Sequence, residues 1–259
     1  MTTDPLNASA RQVGSSERAF NVTKPCLVLL PGMVCDEAVF APQLAHLDGM
    51  ADILVPRYGD SCTFEDMARM VLNQAPARFA MVGHSMGGRV ALEVYRLAPK
   101  RVDRLCLIST EHRPRRDGVA GEEETRGRLR LLEIARAEGM RAMGMAWLPV
   151  LLSKRNQQDT DLVESILSMV ERHTPDQLEA QIWAGHSRPN STSMLGQISC
   201  PVLLIAGEDD ILRPAKILQD TASLIVNSLM ETITGCGHMP TLEQPEKVNR
   251  LLQEWMSVS

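Results

Sequence analysis

Gly83-His84-Ser85-Met86-Gly87 follows an apolar run, Phe79-Ala80-Met81-Val82. It precedes a stretch whose apolar residues, Val90, Ala91, Val94, Leu97 and Ala98, recur on one face of a helix. Glycines two residues either side of a serine say little by themselves. Between a strand and a helix they describe a tight turn in which neighbouring Cβ atoms would clash and a serine hydroxyl is lifted above the sheet edge. The helix that follows points its N-terminal N–H groups at the same place, where they can stabilise negative charge.

Outward from this turn the chain alternates. Cys26-Leu27-Val28-Leu29-Leu30 is strand-like and ends at Pro31-Gly32, and residues 53–55 form a shorter run. Thr63, with Asp66 three residues on, opens a helix carrying Phe64, Met67, Ala68, Val71 and Leu72 on one face. Residues 105–108, 201–205 and 229–233 continue the strand rhythm. A last helix starts at Pro245, with Val248, Leu251, Leu252 and Trp255 at helical spacing. Such alternation predicts an α/β fold: a mostly parallel sheet of about six strands with helices on both faces.

Between residues 110 and 195 the pattern is helical only, over about 125–152, over 160–172 and from Thr174-Pro175, where Gln177 completes a start signal. The expected organisation is a flexible polar lead (1–24), a core (25–109 and 196–259) and an all-helical insertion (110–195).

The 259 residues include 27 Lys+Arg and 32 Asp+Glu, a formal net charge of −5, with 44% hydrophobic and 23% charged residues. This is ordinary globular usage and argues against a disordered chain. An acidic balance without a Lys/Arg run argues against nucleic acid as a partner. No apolar stretch has the length of a membrane span, and residues 1–24 hold no apolar signal core, so a cytoplasmic location is expected. Six cysteines without a Cys-x-x-Cys pair read as reduced, mostly buried thiols. His46, His112, His173 and His186 are isolated and lack ligand spacing, so neither a metal nor a cofactor is expected.

A serine hydroxyl attacks only when a base takes its proton and a third group orients that base. Gly207-Glu208-Asp209-Asp210 follows one late strand, and Gly235-Cys236-Gly237-His238 follows the last. With Leu29-Leu30-Pro31-Gly32, the run from Gly83 to Gly88, Pro214, and His238-Met239-Pro240, these segments resemble the α/β-hydrolase fold family, in the same order. The resemblance covers the chain from about residue 25 onward, with the helical insertion where that family places its cap. It implies Ser85 as nucleophile, His238 as general base and acid, and Asp210 as the orienting acid. Asp209 is left as a loop or solvated charge, and Glu111 is the alternative acid. The resemblance also implies an oxyanion hole made by the N–H groups of Met33 and Met86. Two departures stand out: Pro31-Gly32 occupies the place of a common His-Gly, and residues 1–24 supply no leading hairpin.

His84 reads as a supporting residue. Met140, Met143, Met145, Trp147 and Trp183 either line a substrate pocket, with Met143, Trp147 and Trp183 foremost, or pack on the core. Arg113-Pro114-Arg115-Arg116 reads as a solvated run offset by Glu122-Glu123-Glu124, with attraction of a carboxylate substrate as the alternative. Arg188-Pro189-Asn190 reads as a cap on the return to the core, and Cys35, Cys62 and Cys236 as exposed thiols. The function implied by the resemblance is hydrolysis of a small carboxylic ester, thioester or lactone with an apolar acyl or ring moiety. A carbon–carbon hydrolase or lyase would use the same three residues, and a ligand-binding protein of the same fold is the third reading. Ser85 at the elbow disfavours dehalogenase or epoxide hydrolase chemistry, which uses Asp there. A homo-oligomer is compatible with the sequence but not indicated by it.

Overall fold

The computed structural model describes residues 24–257; apart from Lys24, the expected lead lies outside them. In β1 (Cys26–Leu30), Leu27 and Leu29 enter one apolar cluster while Cys26, Val28 and Leu30 enter another. A strand buried on both faces has no polar alternation to show, which is why this segment reads as a continuous apolar run.

The other strands are β2 (Asp52–Leu54), β3 (Phe79–His84), β4 (Val102–Ile108), β5 (Val202–Gly207) and β6 (Ser228–Ile233). They form one six-stranded sheet in the order β2-β1-β3-β4-β5-β6, with every neighbouring pair parallel. The chain runs outward from β1 to β2 and then returns to β3. The strand order therefore reverses between β1 and β3, and the loops after these two strands frame a crevice at the sheet's C-terminal edge. Ligands of open α/β sheets bind at such a switch point.

The helices are α1 (Ala41–His46), α2 (Phe64–Gln74), α3 (Met86–Leu97), α4 (Gly118–Glu138), α5 (Met140–Leu151), α6 (Thr160–Glu171), α7 (Pro175–His186), α8 (Thr192–Leu195), α9 (Ala215–Ala222), α10 (Pro240–Glu243) and α11 (Pro245–Ser257). Residues of α2, α3 and α9 pack on one face of the sheet, and residues of α11 and of α4 to α7 join the opposite cluster. Thr63 accepts the N–H of Asp66 at 3.1 Å, and Thr174 and Gln177 close a capping box, so both start signals act as side-chain caps.

The sequence places one helix over about 125–152; the structure has two. Gly139, at φ +93°, ends α4 and starts α5, a backbone that glycine adopts without strain. Leu132 and Ala135 before the break and Met140 and Met143 after it join the same cluster, so the apolar spacing runs through the turn. Among the described residues, no helix is long and apolar enough to cross a membrane.

Candidate active site

The turn from β3 into α3 holds Ser85 at φ 53°, ψ −114°, a conformation costing about 1–3 kcal/mol for a non-glycine residue. The surroundings enforce it. Ser85 donates its N–H to Ile108 O at 2.8 Å, and the Thr110 hydroxyl donates to Ser85 O at 2.7 Å. A Cβ on Gly83 would lie 2.5 Å from Gly87 O, and one on Gly87 would run into the Leu30 carbonyl. Glycine is required on both sides because the backbones of β1, β3 and α3 meet there.

Three distant side chains converge on this turn. Ser85 Oγ lies 2.8 Å from His238 Nε2, and His238 Nδ1 lies 2.8 Å from Asp210 Oδ2. Asp210 is buried, and its Oδ1 accepts the N–H groups of Leu212 at 2.9 Å and Arg213 at 2.8 Å. Burial alone would raise its pKa, but His238 and these donors hold the carboxyl below its ordinary value. Asp209 is exposed and gives only its main-chain N–H, to Cys236 O. Glu111 lies instead against three arginines, at 2.5 Å from Arg89, 3.3 Å from Arg213 and 3.5 Å from Arg188. Asp210 is thus the carboxylate on the imidazole.

His84 supports the loop that carries His238. Its ring donates from Nε2 to the His238 carbonyl at 2.9 Å, which leaves Nδ1 buried without a hydrogen-bond partner. Burial and the neighbouring His238 lower its pKa to about 4, so the ring is neutral at pH 7. From the other side, the His238 N–H donates to Leu151 O at 2.8 Å. Glu243, buried, accepts N–H groups from Ser153 (2.9 Å), Asn156 Nδ2 (2.9 Å) and Met239 (3.1 Å). The loop after β6 and the segment after α5 are one hydrogen-bonded unit.

The loop after β1 packs directly on the serine. A Cβ on Gly32 would stand 3.4 Å from Ser85 Cβ and 3.0 Å from His84 Nδ1. Met33 borders the same cavity as Ser85, and Met86 is the first residue of α3, whose leading N–H groups lack partners within the helix. Val34, next to Met33, has φ 46° and donates its N–H to Gln181 Oε1 at 2.7 Å. Gln181, on α7, gave no signal in the sequence, because a single buried amide in a helix has no spacing to announce it.

From Ser85 opens a cavity of about 60 Å³, bordered by Met33, Met86, Trp147 and Ile182 and by five arginines, Arg89, Arg115, Arg128, Arg188 and Arg213. It shares Arg128, Trp147, Arg188 and Arg213 with a wider one of about 690 Å³. Apolar and cationic side chains line it together. The basic residues lie far apart in the chain and meet only on folding. Burial, with Arg213 and Arg188 nearby, lowers Arg128 to about 10; it stays charged at neutral pH.

Of the three insertion residues expected at the pocket, Trp147 borders both cavities. Met143 is fully buried among core side chains, and Trp183 is 44% exposed with its ring edge on His186; neither borders a cavity containing Ser85. Their helical spacing is that of packing and of solvent. Arg188 is buried and pairs with Glu124 at 2.6 Å, so it belongs to the pocket, while Asn190 caps Thr192. Arg115 and Arg113 are likewise at the cavities rather than wholly in solvent. Of the thiols expected to be exposed, Cys62 is; Cys35 is half-buried and Cys236 fully buried, two residues before His238. Among the described residues, no group of three or more His, Cys, Asp or Glu side chains is placed to hold a metal ion.

Residues 27–251 match the alpha/beta hydrolase family. A pimeloyl-[acyl-carrier protein] methyl ester esterase of Photobacterium profundum is 27% identical over 89% of this chain and 94% of its own. A putative 2-succinyl-6-hydroxy-2,4-cyclohexadiene-1-carboxylate synthase of Bacillus subtilis is 27% identical over 83% and 78%. A solved thermophilic esterase from Thermogutta terrifontis, with malate bound, superposes at a TM-score of 0.77 with 26% identity, covering 90% of this chain and 89% of that one.

Proposed function

The chain belongs to the alpha/beta hydrolase family, and we propose that it hydrolyses a small carboxylic ester, thioester or lactone through an acyl-enzyme on Ser85. The observation that carries this reading is the unbroken chain of 2.8 Å contacts from Asp210 through His238 to Ser85 Oγ, at the sheet's switch point. The Photobacterium relative, an esterase by name, supports ester bonds as the substrate class.

In this mechanism Asp210 accepts the Nδ1–H of His238, which leaves Nε2 free to accept the hydroxyl proton of Ser85. The oxygen attacks the substrate carbonyl as that proton moves, and the charge formed on the carbonyl oxygen is held by the N–H groups of Met33 and Met86. One such donor is worth about 10²–10³ in rate. His238 then protonates the leaving group, and water, activated by the same imidazole, releases the acyl group. Residues 110–195 act as a cap over the core of 25–109 and 196–259, closing the site from the side that Trp147 and Ile182 occupy.

A second reading has one observation in its favour: the Bacillus relative is named a synthase. The same serine and imidazole would then make or break a carbon–carbon bond. A panel of p-nitrophenyl esters and a vinylogous diketone separates the two. The hydrolytic reading expects ester turnover and labelling by a fluorophosphonate in the wild-type chain, both lost in Ser85→Ala. Equal labelling of Ser85→Ala would refute the assignment.

A further inference from the structure

The walls of the two adjoining cavities carry seven arginines and three glutamates, in a protein whose formal net charge is −5. Four of the seven arginines have a carboxylate within 4 Å: Arg113 has Asp220, and Arg89, Arg188 and Arg213 share Glu111 and Glu124. The single carboxylate of Glu111 serves Arg89, Arg188 and Arg213. Glu124 is taken by Arg188, at 2.6 and 2.8 Å. Arg128 has no carboxylate within 4 Å among the described residues. Its guanidinium instead lies over the Trp147 ring, 5.1 Å from the centroid, with Met33 Sδ 3.8 Å from Nη1. Arg188 Nε is buried without a hydrogen-bond partner.

A guanidinium offers five donors in a planar fork that matches a carboxylate, and like charges gathered in a partly dry cleft repel one another until an anion enters. Surface arginines are individually unremarkable. Here the surplus charge is at the walls of the space that opens from Ser85, and Arg128, half-buried and without a carboxylate within 4 Å among the described residues, borders both compartments.

We propose that Arg128, with Arg188 and Arg213, binds a free carboxylate of the substrate, so that the natural substrate is an anionic ester whose carboxylate lies a few carbon atoms from the scissile carbonyl. This rests on the reading of Ser85 as the nucleophile, and it deepens that reading by naming the substrate class. The Trp147 ring backs the guanidinium, and apart from the Nη1 contact with Met33 Sδ the fork's donors are left for the ligand.

The test has two arms. In the first, kcat/KM is measured for p-nitrophenyl hemiglutarate against p-nitrophenyl pentanoate, and for 3-carboxyphenyl acetate against phenyl acetate. The expectation is at least a tenfold preference for the carboxylate in one pair, the scale of one charge-assisted hydrogen bond. In Arg128→Met that ratio falls toward one, mainly through KM, and Arg128→Lys restores part of it. No preference in either wild-type pair, or an equal loss on charged and neutral esters in Arg128→Met, would overturn the proposal. In the second arm, calorimetry follows glutarate and its neutral analogue glutaramide binding to Ser85→Ala. Glutarate is expected to bind more tightly, and adding Arg128→Met to abolish the difference; equal affinity for the two compounds counts against the site. Retained ester turnover in Ser85→Ala would instead sink the nucleophile assignment and leave the binding result standing.

Discussion

Gln181, in a helix inserted between β4 and β5, accepts the main-chain N–H of Val34 at 2.7 Å. Val34 follows Met33 and holds a positive φ that a β-branched residue adopts only under constraint. The amide oxygen therefore fixes the peptide next to the proposed oxyanion donor. Gln181→Met, which keeps the volume and removes the acceptor, is expected to lower kcat about ten- to a hundredfold with little change in KM. It should also cost about 1–3 kcal/mol in urea unfolding, because a buried N–H loses its partner. Gln181→Glu restores an acceptor and should recover most of kcat. Full activity in the methionine variant would show that the loop holds its shape without the amide.

Ser85 carries backbone strain that reverses the usual ranking of alanine and glycine. Ser85→Ala and Ser85→Gly both lose the hydroxyl, yet only glycine adopts φ 53° freely. The glycine variant should be the more stable of the two by about 1 kcal/mol, although glycine is ordinarily the destabilising residue. Thermal unfolding of the two variants checks this.

The buried His84 makes stability depend on pH in a definite direction. Its folded pKa of about 4 is below the ordinary 6.5, so the unfolded chain binds more protons between those values. The stability it permits is complete above pH 6.5 and is lost as the pH falls toward 4. His84→Gln keeps a donor for the His238 carbonyl and removes the titration. Between pH 7 and 4.5 it should lose less unfolding free energy than the wild type, by about 2 kcal/mol. Parallel pH profiles for the two proteins would disprove the buried neutral ring.

Thiol modification should be selective. Cys62 is exposed, Cys26, Cys106, Cys200 and Cys236 are buried, and burial with the neighbouring Asp36 pushes Cys35 up to about 12. Iodoacetamide at pH 8 is expected to label Cys62 in the native protein while esterase activity persists, as mass spectrometry and a parallel assay would show. Loss of activity in step with Cys62 labelling would contradict this.

The sequence makes legible whatever is local or periodic. The elbow announces itself because its glycines, strand and helix are contiguous, and the carboxylate and imidazole loops because each follows a strand. The break at Gly139 is hidden, since apolar spacing on its two sides serves one cluster. The arginine-lined cleft is hidden for a different reason: Arg89, Arg128, Arg188 and Arg213 sit on four separate segments, and a lone arginine looks the same in solvent as at a cavity. Met143 and Trp183 mislead because helical spacing reports a face without saying what it meets.

Glu243 gathers donors from both Met239 and the residues just past α5, while Leu151 takes the amide of His238. Any outward swing of α5 would drag the His238 ring away from Ser85 Oγ. Among the described residues, those of α4 and α7 that border the cleft have no hydrogen bond to the His238 loop.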